Sequence, residues 1–249
     1  MVTGIEIFRQ WFRGFENQYA IIGGTACDLL MEKEGLEFRG TKDIDLVLIV
    51  EAITPAFGSR FWEFVREAGY KHRNRSTGRQ QFYRFSHPPQ GEYPFMIELF
   101  SRKTEAIPLP EDAVLTPLPV DDDISSLSAI LLDEDYYRLL CSGTTTVDGI
   151  TVLDAIHLIP FKAKAWLDLS ARKSKGEPVD SRNIRKHRND VFRLFALLNQ
   201  EAKLPLQDTV REDMKAFLAA MQEEQIDLKQ LGIRLEKRDI LAALADIYE

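Results

Sequence analysis

The stretch from Tyr19 to Val50 limits the possible folds more than any other part of the chain. A short apolar run, Tyr19 to Ile22, ends in Gly23-Gly24-Thr25, and a helical stretch follows; Thr41-Lys42-Asp43-Ile44-Asp45 then opens a second apolar run. The first run is too brief for a helix and stops at glycines, so it reads as a buried strand. Thr25 with Asp28 has the form of a capping box, and Ala26, Leu29 and Leu30 supply a helical apolar stripe. The predicted unit is strand, glycine turn, helix, strand.

Side chains at i and i+2 of a strand leave the same face, so Asp43 and Asp45 should stand side by side while Ile44 and Leu46 pack the other way. Adjacent like charges are costly unless a cation neutralises them. Mg²⁺ suits such a pair, since it takes oxygen ligands and is commonly held by one or two carboxylates together with substrate phosphates. The competing explanation is a solvated strand start. At the glycine turn, backbone without Cβ atoms lets amides approach a phosphate, and the following helix N-terminus favours negative charge. Thr25 adds a hydroxyl; the plain alternative is a tight connection needing positive φ. Glu98, inside Phe95-Met96-Ile97-Glu98-Leu99-Phe100, is a third acid, expensive to bury in an apolar strand unless paired or metal-bound. Its alternative is an edge strand with Glu98 facing water. The run Asp121-Asp122-Asp123 lies in a Pro-bounded stretch and reads as a solvated turn.

With 249 residues the chain can bury a substantial core in one large domain or two unequal ones. A formal net charge of -7 argues against a dedicated nucleic-acid coat while leaving room for a local basic groove. Cys27 and Cys141 are far apart in apolar sequence and read as small core residues, so neither a disulfide framework nor a zinc site is indicated. No leader pattern and no run of bilayer length is evident, so the expectation is a soluble, cytoplasmic protein with no membrane partner.

The remaining pattern predicts helices over Ile5 to Phe15 and Arg60 to Ala68, and strands over Ile44 to Val50, Gln81 to Phe85 and Phe95 to Phe100. Leu127 to Leu132 and Tyr136 to Cys141 read as a hairpin around Asp133-Glu134, and Asp148-Gly149 as a further turn, after which helical patterns dominate. The fold class expected is α+β: an N-terminal α/β-type domain with a mixed sheet over 1–150, then a mainly helical domain over 151–249. A polar loop is expected from Ser174 to Asp180, and helices over Val210 to Met221 and Ile240 to Tyr248. In the helix from about Asp154, Lys162 shares the stripe of Leu158, Ala165, Trp166 and Leu169, whereas Lys164 lies off it. An inward lysine needs an anionic partner unless its stem snorkels outward. Lys186-His187-Arg188-Asn189-Asp190 leads into a helix over Val191 to Leu198, or is simply a solvated basic helix start. The run Lys71-His72-Arg73-Asn74-Arg75, with Arg79, either receives an anionic acceptor or is an exposed hairpin loop.

With these pieces in place, the first hundred residues resemble the nucleotidyltransferase superfamily of the DNA polymerase β type, whose signature is a strand ending in Gly-Gly or Gly-Ser, a helix, an Asp-x-Asp and a later acid. Here these are Gly23-Gly24-Thr25, Asp43-x-Asp45 and Glu98. The second half is similar to AbiEii-type nucleotidyltransferase toxins, with Lys162 matching the lysine on an apolar helix and Lys186 and Asp190 matching a Lys-Asp-x-x-Asp segment; His187 stands where that segment has its first aspartate.

The resemblance implies an NTP bound with its triphosphate over the turn (Gly23, Gly24, Thr25) and Mg²⁺ on Asp43, Asp45 and Glu98. It further implies that Lys162 and Lys186 contact phosphate, that Asp190 completes the cleft, and that an acceptor hydroxyl displaces pyrophosphate. The acceptor class it allows is tRNA or other RNA, protein or a small molecule, with an antitoxin protein as partner if the chain is a toxin. The competing class is a catalytically silent nucleotide-binding or interaction module with the same fold. A dinucleotide-binding unit is disfavoured, because G-x-G-x-x-G spacing does not follow Gly23-Gly24.

Overall fold

The structure, a computed structural model, describes residues 2–76, 81–102, 130–131 and 133–249. The fold is α+β and divides into two units. Among the described residues, 2–102 and 144–153 belong to the first, and 130–143 and 154–249 to the second. Asp121 to Asp123, Arg79 and most of Leu127 to Leu132 lie outside the described residues.

The first unit contains α1 (Ile5–Trp11), β1 (Tyr19–Ile22), α2 (Gly23–Lys33), β2 (Asp43–Leu48), α3 (Pro55–Glu67), β3 (Lys71–Ser76), β4 (Gln81–Ser86), β5 (Met96–Ser101) and a hairpin of β6 (Thr144–Val147) and β7 (Ile150–Leu153). Its described strands form one mixed sheet in the order β3-β4-β5-β2-β1-β7-β6. β2 runs parallel to β5, β1 runs parallel to β7, and the other neighbours are antiparallel. The pleat sends Tyr19, Ile44, Leu46, Phe85 and Ile97 to one face, all of them buried. Aromatic side chains of α1 and α3 cover it: Phe57 lies 6.3 Å from Tyr19, Phe61 lies 5.3 Å from Phe85, and Phe8 and Phe64 meet edge to face. α3 starts earlier than the apolar stripe suggests, because Pro55 occupies its first turn and the Thr54 hydroxyl accepts from the Phe57 amide at 3.3 Å.

Two local expectations are corrected in this unit, and the turn expected at Asp148-Gly149 is found. α1 stops at Trp11, and Gly14 beyond it takes a left-handed φ of 87°. The basic run from Lys71 lies in β3 rather than in a hairpin loop. Asp148 and Gly149, both with positive φ, close a two-residue hairpin, the turn geometry matched to strand twist.

In the second unit, α4 (Glu134–Ser142), α5 (Ala155–Ser174), α6 (Ser181–Phe195), α7 (Asp208–Glu223) and α8 (Lys237–Ile247) pack around Leu158, Leu169, Phe192, Met214, Phe217 and Leu244. Tyr136 to Cys141 is therefore helical, not the strand expected. Asp133 caps it by accepting from the amides of Asp135 and Tyr136 at 2.9 and 3.2 Å, and Tyr136, Tyr137, Leu139 and Leu140 repeat at helical spacing, with Cys141 on the exposed side. α6 also starts earlier than expected, at Ser181 after the cap Asp180, so Lys186 to Asp190 lie within the helix rather than ahead of it. Pro160 inside α5 has no amide to give the Ile156 carbonyl; the buried Tyr248 hydroxyl donates to that carbonyl at 2.6 Å instead. No helix among the described residues is long and apolar enough to cross a membrane.

Candidate functional site

Asp43 and Asp45 lie in β2 as predicted, half-buried, while Ile44 and Leu46 are fully buried on the aromatic face. β5 is an interior strand between β4 and β2, which removes the edge-strand explanation for Glu98. Its register sets Glu98 directly beside Asp45, and β4 sets Arg84 directly beside Glu98 on the other side. The result is a lateral row, Arg84, Glu98, Asp45, crossing three strands on the face opposite the aromatic core.

Glu98 is 6% exposed, and its carboxylate takes the Arg84 guanidinium at 2.6 Å from one nitrogen and 2.8 Å from Nε. Burial pushes its carboxyl up to about 8; the Asp45 charge and a hydrogen bond to the Asp45 side chain push the same way, while Arg84 opposes them. Two carboxyl groups in hydrogen-bond contact must share a proton or a cation. Burial inclines the pair towards the proton, and Arg84 works against it.

The glycine turn meets this row. Gly23 has a φ of 72°, and a Cβ there would fall 1.8 Å from Asp45 Oδ2. A Cβ on Gly24 would fall 2.7 Å from the Thr41 hydroxyl and 3.4 Å from an Arg39 guanidinium nitrogen. Bare backbone at both positions lets the carboxylate of β2 and the side chains ahead of it close on the start of α2. α2 begins at these glycines and carries no side-chain cap, leaving its leading amides for another acceptor. Thr25 departs from expectation: it is fully buried, and its hydroxyl donates to the Asp43 carbonyl at 2.6 Å. It ties the turn to β2 rather than forming a capping box with Asp28 or facing a ligand.

Asp43, Asp45 and Glu98 share a face without converging as a three-ligand set; among the described residues no group of three or more His, Cys, Asp or Glu side chains is arranged to hold a metal ion. Arg84, on the other side of Glu98, supplies positive charge there. The donor set that fits Mg²⁺ is the Asp43 and Asp45 pair, hard oxygen donors on one strand face that would leave the ion's other positions to phosphate and water.

The helical unit's expected residues have a separate arrangement. Lys162 of α5, 3% exposed, donates to Asp190 Oδ2 of α6 at 3.1 Å, and Asp190 is wholly buried with Arg193 3.7 Å from its other oxygen. The anionic partner that an inward lysine requires is thus Asp190 itself, and the pair accounts for Lys162 without any ligand. Lys186 and His187 are half-buried on α6. Arg84 and Arg39 were not singled out from the sequence. Neither has a local signal of its partner, because Arg84 reaches Glu98 through strand pairing and Arg39 reaches Gly24 through loop closure.

No protein-family model matches the sequence, and comparison with curated proteins finds no match. Among solved structures, the chain is similar to an antigenic nucleotidyltransferase-like protein from Paracoccidioides brasiliensis, at 17% identity over 99% of this chain and 95% of that one, with a TM-score of 0.47. It is also similar to the Megavirus polyadenylate synthase, at 12% identity over 88% of this chain and 36% of that one, with a TM-score of 0.40. No residue role is carried over from either.

Proposed function

We propose that the first unit is a Mg²⁺-dependent nucleotidyltransferase domain that moves an NMP from an NTP to an acceptor hydroxyl. The observation that carries this reading is the meeting of the uncapped glycine turn with the acidic row: Asp45 closes on Gly23, Asp43 shares its face, and Glu98 lies in register beside Asp45. The leading amides of α2 would donate to triphosphate oxygens, with Arg39 beside Gly24 adding a cation. Asp43 and Asp45 would hold Mg²⁺, which when bound neutralises phosphate charge and stabilises the attacking and leaving oxygens. The acceptor oxygen forms a bond to the α-phosphorus, the bond to the β-phosphate oxygen breaks, and pyrophosphate leaves. Once its own proton has passed to solvent, the Glu98 carboxylate would accept the proton that the acceptor hydroxyl loses. Arg84 holds Glu98 in place.

Calorimetry tests this directly. NTP binding that requires Mg²⁺ should be lost in Asp43→Ala with the fold retained, and unchanged binding in that variant overturns the reading. Incubation with labelled NTP, Mg²⁺ and cell extract then assigns the acceptor class, RNA, protein or small molecule, by the fraction that takes up label. A toxin role would in addition require that co-expression of an antitoxin protein silence the labelling. One observation favours a second reading, a catalytically silent module with the same fold: Glu98 is committed to Arg84. Mg²⁺-dependent NTP binding without label transfer to any fraction selects it.

A further inference from the structure

The chain is acidic overall, yet between Arg172 and Arg188 seven lysines and arginines stand against two acids, Glu177 and Asp180. Those two acids are taken up locally by Arg172 and Arg182. A basic helix face is ordinarily just solvated surface. Here two facing stripes make a groove. On α5, Ser170, Lys173 and Ser174 follow Trp166 at helical spacing, and on α6, Ser181, Ile184, Arg185 and Arg188 do the same; together they line a cavity of about 470 Å³ within the helical unit. That volume lies within the roughly 300–1,000 Å³ of small-ligand sites.

The lining is suited to one chemistry. Lys173, Arg185 and Arg188 bring three cations, and Ser170, Ser174 and Ser181 bring three hydroxyls. The single lining acid, Glu224, is held by Arg188 at 2.8 Å. Cations interleaved with hydroxyls match the oxygens of a phosphate ester, which accept from both; Ile184 offers an apolar surface to the body that carries the phosphate. The end of α6 does not supply the charge, since Asp180 already caps it by accepting from the Arg182 amide at 2.8 Å. Side chains carry the site.

We propose that the groove between α5 and α6, within the helical unit, binds a phosphate ester of a nucleotide, a ligand class that rests on the nucleotide chemistry proposed for the acidic row. Two sources present this chemistry: a nucleotide within a single-stranded RNA, or a free mononucleotide. The full-length protein is titrated with a fluorescein-labelled ten-residue oligouridylate and, separately, with UMP, across a salt series. The same titrations use a Lys173→Gln/Arg185→Gln variant; both residues are exposed, and circular dichroism checks that its fold is retained.

If the ligand is RNA, three phosphate contacts on a single strand give a log-log salt slope of about -2, and the double variant reduces it to about -1 while weakening affinity at least tenfold. If the ligand is the free nucleotide, UMP binding falls at least tenfold in the variant and the oligouridylate is unaffected. Either outcome supports the site and identifies its source. Binding of both probes with unchanged affinity and salt slope in the folded variant, or binding of neither by the parent protein, overturns it.

Discussion

Gly23→Ala separates backbone strain from the close approach that defines the acidic row. A Cβ at this position meets two obstacles: a φ of 72°, and Asp45 with Oδ2 at 1.8 Å and Cγ at 2.8 Å. The first costs about 1–2 kcal/mol for any L-residue. The second forces the Asp45 side chain from its rotamer and away from Glu98, adding about 1–3 kcal/mol from an off-rotamer torsion and a lost buried hydrogen bond. Gly14 and Gly35 provide the control, because their φ values of 87° and 69° carry the same backbone strain with nothing within 4 Å of a built Cβ. Gly14→Ala and Gly35→Ala also share the change in unfolded-chain entropy that accompanies any glycine replacement. Urea denaturation of the three variants should show Gly23→Ala less stable than either control by the second amount alone, with Mg²⁺-dependent NTP binding lost only there. Equal destabilisation in all three would refute the claim that Asp45 is packed against the turn.

Two further perturbations address the carboxyl groups. Glu98 has its proton affinity raised by burial from 4.5 to about 8, so between those values the unfolded chain has released a proton that the folded chain keeps. Stability is therefore fully present below the lower value and falls as pH rises towards the upper one, by up to about 1.4 kcal/mol per pH unit. Glu98→Gln should remove this dependence in denaturant titrations at several pH values; parallel curves for variant and parent would contradict the assignment. In the helical unit, Asp190→Ala strands Lys162 inside the core, whereas Lys162→Met leaves Asp190 beside Arg193. The first should cost about 3–5 kcal/mol in thermal or chemical unfolding, and the second clearly less; the reverse order would show that Lys162 is not the buried charge Asp190 serves.

The parts of the site that follow a local period were legible in the sequence. Strand alternation alone puts Asp43 and Asp45 on one face and Ile44 and Leu46 on the other, and the glycines ending β1 announce the turn. Long-range pairing was not legible. Arg84 joins Glu98 only because β4 and β5 pair in one register out of several, and Arg39 reaches Gly24 through a loop whose path no spacing encodes. Helical spacing put Lys162 on the apolar stripe, but its partner Asp190 sits on another helix, and the lysine was assigned to substrate phosphate instead. Tyr136 to Cys141 failed for a different reason. Six residues with apolar positions at both strand and helix intervals are ambiguous, and the deciding group, the Asp133 cap, lies just ahead of them.

The hairpin of β6 and β7 has a consequence for how the chain is made. Ile21 of β1 pairs with Val152 of β7, and the Thr151 hydroxyl donates to the Glu16 carbonyl at 2.5 Å, so one flank of the sheet is closed by residues synthesised long after the strand they protect. Until then β1 is an open edge with unmatched amides and carbonyls, a template for intermolecular pairing. Contacts across such sequence separation form late because loop closure precedes their reward. A nascent chain halted before Thr144 thus keeps this edge of β1 uncovered, and the N-terminal strands complete their sheet only once the hairpin has emerged.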